Sequence, residues 1–61
     1  MNTSKTNFLK PGEIAKILRL NQITIYGYIQ QGRLRAVRFG RKYRVDERDL
    51  ELFIKQNVVK V

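Results

Sequence analysis

Acidic side chains near the C-terminal end are the first candidates for chemistry, because four of them fall within six residues: Asp46, Glu47, Asp49 and Glu51. Clustered carboxylates can ligate a metal ion or work as an acid–base pair. The 61 residues contain no Cys and no His, which excludes thiolate and imidazole nucleophiles and zinc ligands of those types. Because no nucleophile, base or glycine-rich phosphate loop accompanies the acids, helix capping and solubility explain them better. We expect no catalytic residue, no metal and no cofactor.

Positive charge is the second chemical signal. Lys and Arg number 13 against five Asp and Glu, for a net charge of +8. Residues 1–45 hold ten basic residues and one acid, whereas residues 46–61 hold three basic residues and four acids. The stretch from Arg33 to Arg44 has six basic residues and no acid. A solvated basic face would explain the total, but this segregation favours a surface that binds nucleic acid.

Length and hydropathy predict one small domain. With 43% hydrophobic residues the chain has a thin core, since a domain of this size buries only about 60% of its unfolded surface. No apolar run approaches the roughly 20 residues of a membrane helix, and no signal-peptide core is present. We expect no membrane, a cytoplasmic location and no small-molecule substrate. The predicted divisions are a flexible N-terminus over 1–7, a domain over 8–57, and a C-terminal tail over 58–61 that adds a strand, packs or stays loose.

Two short helices are predicted in the first half. Pro11 suits a first helical position and opens a helix to about Arg19. Lys10 offers no acceptor oxygen as its N-cap, and Glu13 partly compensates. Asn21 caps a second helix over about 22–31, which Gly32 closes. Three residues separate the helices, as in a helix-turn-helix. The apolar stripes are Ile14, Ile17 and Leu18 on the first helix and Ile25, Tyr28 and Ile29 on the second.

A hairpin and a third helix are predicted in the second half. The segments 36–39 and 42–45 are β-prone and flank Gly40-Arg41, whose loop length stays open. Asp46 caps a third helix with an apolar stripe of Leu50, Phe53 and Ile54, and its acidic start is expected to face away from a bound duplex. The predicted fold is therefore mainly α with a small β-hairpin, a winged helix-turn-helix.

The ordered motifs resemble the excisionase-like helix-turn-helix family, which is close to the MerR-like winged helix. The resemblance covers residues 8–54 and rests on the segments 9–15, 24–29, 32–37, 40–45 and 50–54. It implies that the second helix enters the major groove of DNA while the wing lies over the backbone or minor groove. Members include phage and plasmid excisionases, small regulators and the N-terminal domains of transposon recombinases. The length of this chain is similar to the first two and leaves no room for a recombinase domain.

Three residues depart from the family pattern. Lys10 stands where the family usually has Thr or Ser, which weakens the first cap. Arg19 stands where Gly is usual, and because a left-handed non-Gly residue costs about 1–2 kcal/mol, we expect a differently arranged turn. Gly27 stands where Arg or Lys is usual, which removes a phosphate contact and weakens the helix by about 1 kcal/mol relative to Ala. We hypothesise that the second helix becomes rigid only on binding.

Candidate DNA-contacting residues follow from these positions. On the second helix, Gln22 can pair with adenine, Ile23 can meet a thymine methyl, and Thr24 can bond a phosphate. The wing and its flanks offer guanidinium and ammonium groups for backbone or minor-groove contact. The helix set is Gln22, Ile23, Thr24 and Tyr26; the wing set is Arg33, Arg35, Arg38, Arg41, Lys42 and Arg44. Ile23 alternatively packs between the helices, and Lys16 and Arg19 are further phosphate candidates.

Two hairpin aromatics and two other protein classes stay open. Phe39 and Tyr43 either pack on the third helix or stack on exposed bases, whereas Tyr28 is expected in the core. The sequence favours a double-stranded DNA-binding protein of excisionase type, either a recombination directionality factor or a small transcriptional regulator of a mobile element. Its partners would be duplex DNA and an integrase, a recombinase or a second copy. The alternatives are a small basic RNA-binding protein and an interaction module that recruits a recombinase.

Overall fold

The computed structural model describes residues 7–59. Three helices and a small sheet follow one another in the order of a winged helix-turn-helix, as the sequence predicts. The elements are β1 (Phe8–Leu9), α1 (Pro11–Leu18), α2 (Gln22–Gln30), β2 (Val37–Phe39), β3 (Lys42–Asp46) and α3 (Glu47–Gln56).

Helix α1 begins without help from its N-cap side chain. Lys10 makes no side-chain cap, but its backbone N–H donates to Glu13 Oε1 at 2.7 Å. Pro11 occupies the first position, where no N–H is needed. The compensation expected of Glu13 is therefore confirmed, and it acts as half of a capping box.

Arg19 ends α1 in the left-handed region, with φ 56° and ψ 44°. Its N–H donates to the Lys16 carbonyl at 3.3 Å, and the Leu20 N–H donates to the Ala15 carbonyl at 2.9 Å. These two bonds make a Schellman ending, which glycine usually supplies. The expectation of a differently arranged turn is wrong: the chain keeps the geometry and places a strained arginine in it.

Helix α2 has the predicted caps at both ends. Asn21 Oδ1 accepts from the Ile23 N–H at 2.9 Å. Gly32, with φ 76°, donates its N–H to the Ile29 carbonyl at 3.0 Å, and the Arg33 N–H reaches the Tyr28 carbonyl at 2.9 Å. This is the second Schellman ending of the helix-turn-helix, here with glycine at the left-handed position.

The hairpin register is set by a two-residue turn. Phe39 pairs with Lys42, so that only Gly40 and Arg41 lie between the strands. Gly40 has φ 63°, and a positive φ at the first of two turn residues is the requirement of type II′. The sequence predicted the hairpin but left this loop length open.

Strand β1 is an element that the sequence interpretation missed. Phe8 pairs with Asp46 and Leu9 with Val45, which gives the antiparallel order β1-β3-β2. Asn7 also accepts from the Glu47 N–H at 2.9 Å through its carbonyl oxygen. Asn7 is thereby joined to the start of α3, whereas the other positions of the segment 1–7 lie outside the described residues, and the flexibility of this segment stays a prediction.

Helix α3 is capped by Asp46, whose Oδ1 accepts from the Arg48 N–H at 2.9 Å, as predicted. After α3, Val58 and Val59 are exposed and belong to no strand, while the last two tail positions lie outside the described residues.

The core joins the helices to the central strand. Tyr28 packs against it, with its ring 5.2 Å from that of Phe53, as expected. Ile17 is 57% exposed and Ile54 41% exposed, so both are wrong as core predictions; a short helix turns only one narrow face inward. Pro11 is buried at the start of α1. The buried residues of the hydrophobic core are Ile14, Ala15, Ile25, Leu34, Val45, Leu50 and Phe53.

Candidate nucleic-acid interface

One basic groove lies where the start of α1, the exposed side of α2 and the hairpin meet. It has a volume of about 480 Å³. Five basic side chains line it against one acid, Glu13, whose carboxylate already accepts from the Lys10 backbone. The basic lining residues are Lys10, Lys16, Arg41, Lys42 and Arg44. Within the groove the positive charge is therefore concentrated on two converging elements, α1 with its N-cap and the hairpin, which suits a polyanion.

Gln22 and Tyr26 bring α2 into this groove. Gln22 begins the helix, and its side-chain amide lies over the start of α1, since a Cβ placed on Gly12 would be 3.6 Å from Gln22 Nε2. The N-terminal ends of both helices therefore meet at the groove. Each end carries a partial positive charge, which adds to the attraction for anions.

The remaining α2 candidates point elsewhere. Ile23 is 78% exposed, so the alternative that it packs between the helices is wrong. Ile23, Gly27 and Gln30 recur at i, i+4 and i+7 and form the outermost face of α2. Thr24 is half-buried on the flank away from Gln22 and does not line the groove.

An aromatic pair joins α2 to the hairpin. The rings of Tyr26 and Tyr43 lie with centroids 6.0 Å apart and planes at 59°. Phe39 is 56% exposed and meets Phe8 edge-on at 6.1 Å. Packing of Phe39 and Tyr43 on the third helix, one of the two expectations for them, is therefore wrong. Tyr43 faces α2 because it shares a sheet face with buried Val45.

The wing arginines differ in how they are held. Arg41 lies in the turn and Lys42 begins β3, so both are presented at the tip as predicted. Arg38 Nε donates to the Gly40 carbonyl at 2.8 Å, which ties it across the turn. Arg44 Nη1 donates to the Tyr43 carbonyl at 2.8 Å and is half-buried. Arg41 and Lys42 are the most adaptable of these charges.

Three residues of the predicted wing set are not brought to the groove. Arg38 is held across the turn and does not line it. The Arg33 guanidinium lies 4.8 Å from the centre of the Tyr28 ring, in a cation–π contact. Arg35 borders a different depression, beside Asp49 and Leu52. Lys10, by contrast, lines the groove although the sequence interpretation treated it only as a poor cap. Its place directly before a helix that starts at Pro11 was the available signal.

The acidic cluster is structural. Hydrogen bonds from the Arg48 side chain and backbone lower the pKa of the Asp46 carboxyl, and Arg48 Nη2 lies 3.0 Å from Asp46 Oδ2. Within residues 7–59 no three acidic side chains come together in a way that could hold a metal ion. Asp46 serves as a helix cap and ion-pair partner.

Comparison with known proteins places this geometry in a family. A family model described as a helix-turn-helix domain matches residues 8–58. The chain belongs to that family. The expected resemblance to excisionase-like helix-turn-helix domains is thereby confirmed.

Three curated proteins illustrate the relatives of this helix-turn-helix chain. "Uncharacterized protein YvgK" of Bacillus subtilis is 44% identical over 41 residues, 67% of this chain and 13% of that protein. Two Mycobacterium tuberculosis proteins, "Putative DNA-binding protein Rv0500A" and "Putative DNA-binding protein MT0521", are each 40% identical over 42 residues, 69% of this chain and 54% of theirs. The chain thus spans about half the length of the mycobacterial relatives. No solved structure matches.

Among residues 7–59 none of the helices has the length and apolar character needed to cross a bilayer.

Proposed function

We propose that this protein is a non-enzymatic, sequence-preferring binder of double-stranded DNA. The observation that carries the proposal is the groove, in which α2 and the wing tip share one surface with five basic side chains and a single acid. Phosphate contacts supply most of the affinity of such proteins, and a few base contacts supply the sequence preference. The names of the mycobacterial relatives support the same partner.

Each candidate residue, in the groove or beside it, has a role in this proposal. Gln22 and Tyr26 contact base edges from α2, and Ile23 meets a thymine methyl from its exposed outer face. Thr24 bonds a phosphate on the far flank. The basic residues nearer the wing contact phosphates or the minor groove. They are Lys10, Lys16, Arg38, Arg41, Lys42 and Arg44. Arg33 and Arg35, which border other depressions, add to the long-range field.

The finer role that we propose is that of an excisionase-type recombination directionality factor or a small regulator of a mobile element. A single module of this size covers one half-site, so either role needs a second copy or a partner such as an integrase. A cytoplasmic, nucleoid-associated location stays a prediction. Selection on random duplex DNA separates the roles: repeated direct sites favour an excisionase and a palindrome favours a dimeric regulator.

A charge-reversal experiment tests the DNA-binding surface. The double variant Arg41→Glu with Lys42→Glu places two acids at the wing tip and is expected to lower duplex affinity at least a hundredfold, since each good phosphate contact is lost and becomes repulsive. The matched control is Lys55→Glu with Lys60→Glu, which changes the net charge equally; Lys55 lies on α3 and does not line the groove. If both variants lose affinity to the same extent, the groove is not the DNA-binding surface.

The salt dependence of DNA binding measures the electrostatic share of the binding free energy. For about five phosphate contacts, log K should fall with log salt concentration at a slope of about −4 to −5. Fluorescence anisotropy of a labelled duplex over a salt series gives this slope. A flat dependence contradicts the proposal.

RNA binding is a second candidate because Phe39 is 56% exposed on the wing and available for stacking. Single-stranded RNA that displaces the duplex at equal nucleotide concentration would support it. A pure interaction module, the other alternative, would keep its activity in the Arg41→Glu, Lys42→Glu variant.

A further inference from the structure

A second concave surface lies outside the groove. We call it the sheet-side patch; three apolar side chains in it, Phe8, Val37 and Leu52, are 44%, 41% and 53% exposed. They come from β1, β2 and α3, three separate elements of the fold. None of them lines the basic groove. A partner seated on the patch would therefore leave the groove free for nucleic acid.

The charges of the sheet-side patch are balanced. Arg48 and Asp46 form an ion pair at 3.0 Å, the one pair within 4.0 Å among residues 7–59. Two other charges border the patch beside Leu52, the exposed Arg35 and the half-buried Asp49. Because they carry opposite signs, a surface that presents an acid to Arg35 and a base to Asp49 would complement the patch.

A second copy of the same chain is such a surface. A twofold axis that passes between Arg35 and Asp49 sets each Arg35 opposite the Asp49 of the other copy and brings the two Leu52 side chains together. We propose that the sheet-side patch is a twofold contact between copies bound side by side on DNA. The proposal rests on the DNA binding proposed above. A strongly acidic or basic foreign protein would match only one of the two charges.

DNA is needed because free copies repel each other. Each chain carries +8, and the exposed part of three apolar side chains falls well short of the about 800 Å² per partner of a stable interface. On a duplex the phosphates neutralise much of that charge and the shared lattice raises the local concentration. The contact therefore acts as cooperativity between neighbours on DNA.

Charge reversal at the two positions tests the contact. In a pair of Arg35→Glu copies, the new carboxylate at position 35 of each copy faces Asp49 of the other, which makes two like-charge contacts across the axis. In a pair of Asp49→Lys copies, the new ammonium group at position 49 of each copy faces Arg35 of the other, which again makes two like-charge contacts. In an equimolar mixture of the two variants, each mixed pair of copies regains two opposite-charge contacts. Restoration by mixing requires the charges to lie on different copies, which no interaction within one chain reproduces.

Cooperativity is measured as a ratio of affinities at fixed salt. Titrations compare a duplex of about 10 base pairs, one helical turn, with one of about 30, corrected for the number of binding positions. The change in net charge of each variant alters both affinities and cancels in the ratio. We expect a ratio of about 10 for the unmodified chain, near 1 for each variant alone, and recovery in the mixture. Circular dichroism checks that both variants fold.

Each outcome decides the proposal. A ratio near 1 for the unmodified chain, unchanged cooperativity in either variant, or a mixture as non-cooperative as its components overturns the twofold contact while leaving DNA binding intact. A ratio near 1 for the unmodified chain would also mean that the partner of the sheet-side patch is a different protein. Failure to bind even the short duplex overturns the proposed function itself, so the two failures are distinguishable.

Discussion

Tyr26 of α2 and Tyr43 of β3 lie with ring centroids 6.0 Å apart, and this pair couples the proposed base-reading helix to the wing. Aromatic pairs of this kind contribute about 0.5–1.5 kcal/mol beyond the area they bury. Beneath the groove, Ile25 of α2 and Val45 of β3 share the hydrophobic core. At the surface, the ring contact holds the spacing between the two elements that we propose engage DNA together.

Removing the Tyr43 ring should weaken DNA binding. Tyr43→Ala is expected to lower duplex affinity about tenfold, because the wing must then be ordered on binding. Tyr43→Phe keeps the ring and should stay within about twofold of the unmodified chain. Phe39→Ala is the control. It removes an aromatic ring from the same hairpin, but this ring contacts Phe8 and not α2. Equal losses for Tyr43→Ala and Phe39→Ala in anisotropy titrations would contradict a specific role for the pair.

Replacing Arg19 by glycine should stabilise the fold. Arg19→Gly removes a left-handed non-glycine residue and is expected to raise the free energy of unfolding by about 1 kcal/mol, after allowance for the freer unfolded chain. For a domain of this size that corresponds to about 4–8 °C in Tm. Gly32→Ala, at the matching position of α2, should lower Tm by a similar amount. Thermal melts followed by circular dichroism measure both changes in Tm. An unchanged Tm in both variants would contradict backbone strain at Arg19.

Filling the bare position on α2 should separate helix stability from DNA contact. No atom lies within 4 Å of a Cβ placed on Gly27, so Gly27→Ala should stabilise the helix by about 1 kcal/mol. Gly27→Arg should do nearly the same and add a phosphate contact, which makes the salt slope steeper by about 1.

Hydrogen exchange of α2 amides measures the first effect, and a salt series measures the second. The hypothesis that α2 becomes rigid only on binding predicts rapid exchange in the free unmodified chain. Backbone order parameters over 22–31 that are already high in the free chain would contradict it.

Stability should fall in acid through Asp46. Hydrogen bonds from the Arg48 side chain and backbone lower its pKa from the ordinary value of 3.8, so the folded state prefers the carboxylate. The stabilisation is fully present above that value and is lost as pH falls below it toward the lowered pKa. Asp46→Asn keeps a capping oxygen but loses the charge, so its Tm should depend less on pH as the pH falls below 3.8. An identical pH profile in both proteins would exclude the ion pair as the cause.

Several elements of the fold could be predicted from local patterns. Asn21, Gly32 and Asp46 act on backbone groups within three residues of themselves, so their types alone predicted where helices begin and end. The hairpin followed in the same way from β-prone segments around Gly40-Arg41. The order of these elements predicted a winged helix-turn-helix, which the structure has. The family match confirmed the likeness to excisionase-like domains.

Other features depended on partners distant in sequence. Strand β1 exists because Phe8 and Leu9 pair with β3, more than thirty residues away, and two residues carry too little periodicity to predict it. Ile17 fits the apolar stripe of α1, but the packing of the other elements leaves its side chain 57% exposed. Lys10 joined the site only through the approach of the wing.

The sequence by itself determined the basic character of the chain, the helix caps and, apart from Lys10, the candidates for DNA contact. Only the tertiary structure decided which of those residues share a surface. It joined Gln22, Tyr26 and Arg41 at one groove and left Arg33 and Arg35 outside it. The physical reason is that caps and turns are local interactions, whereas a binding surface is defined by packing between elements far apart along the chain.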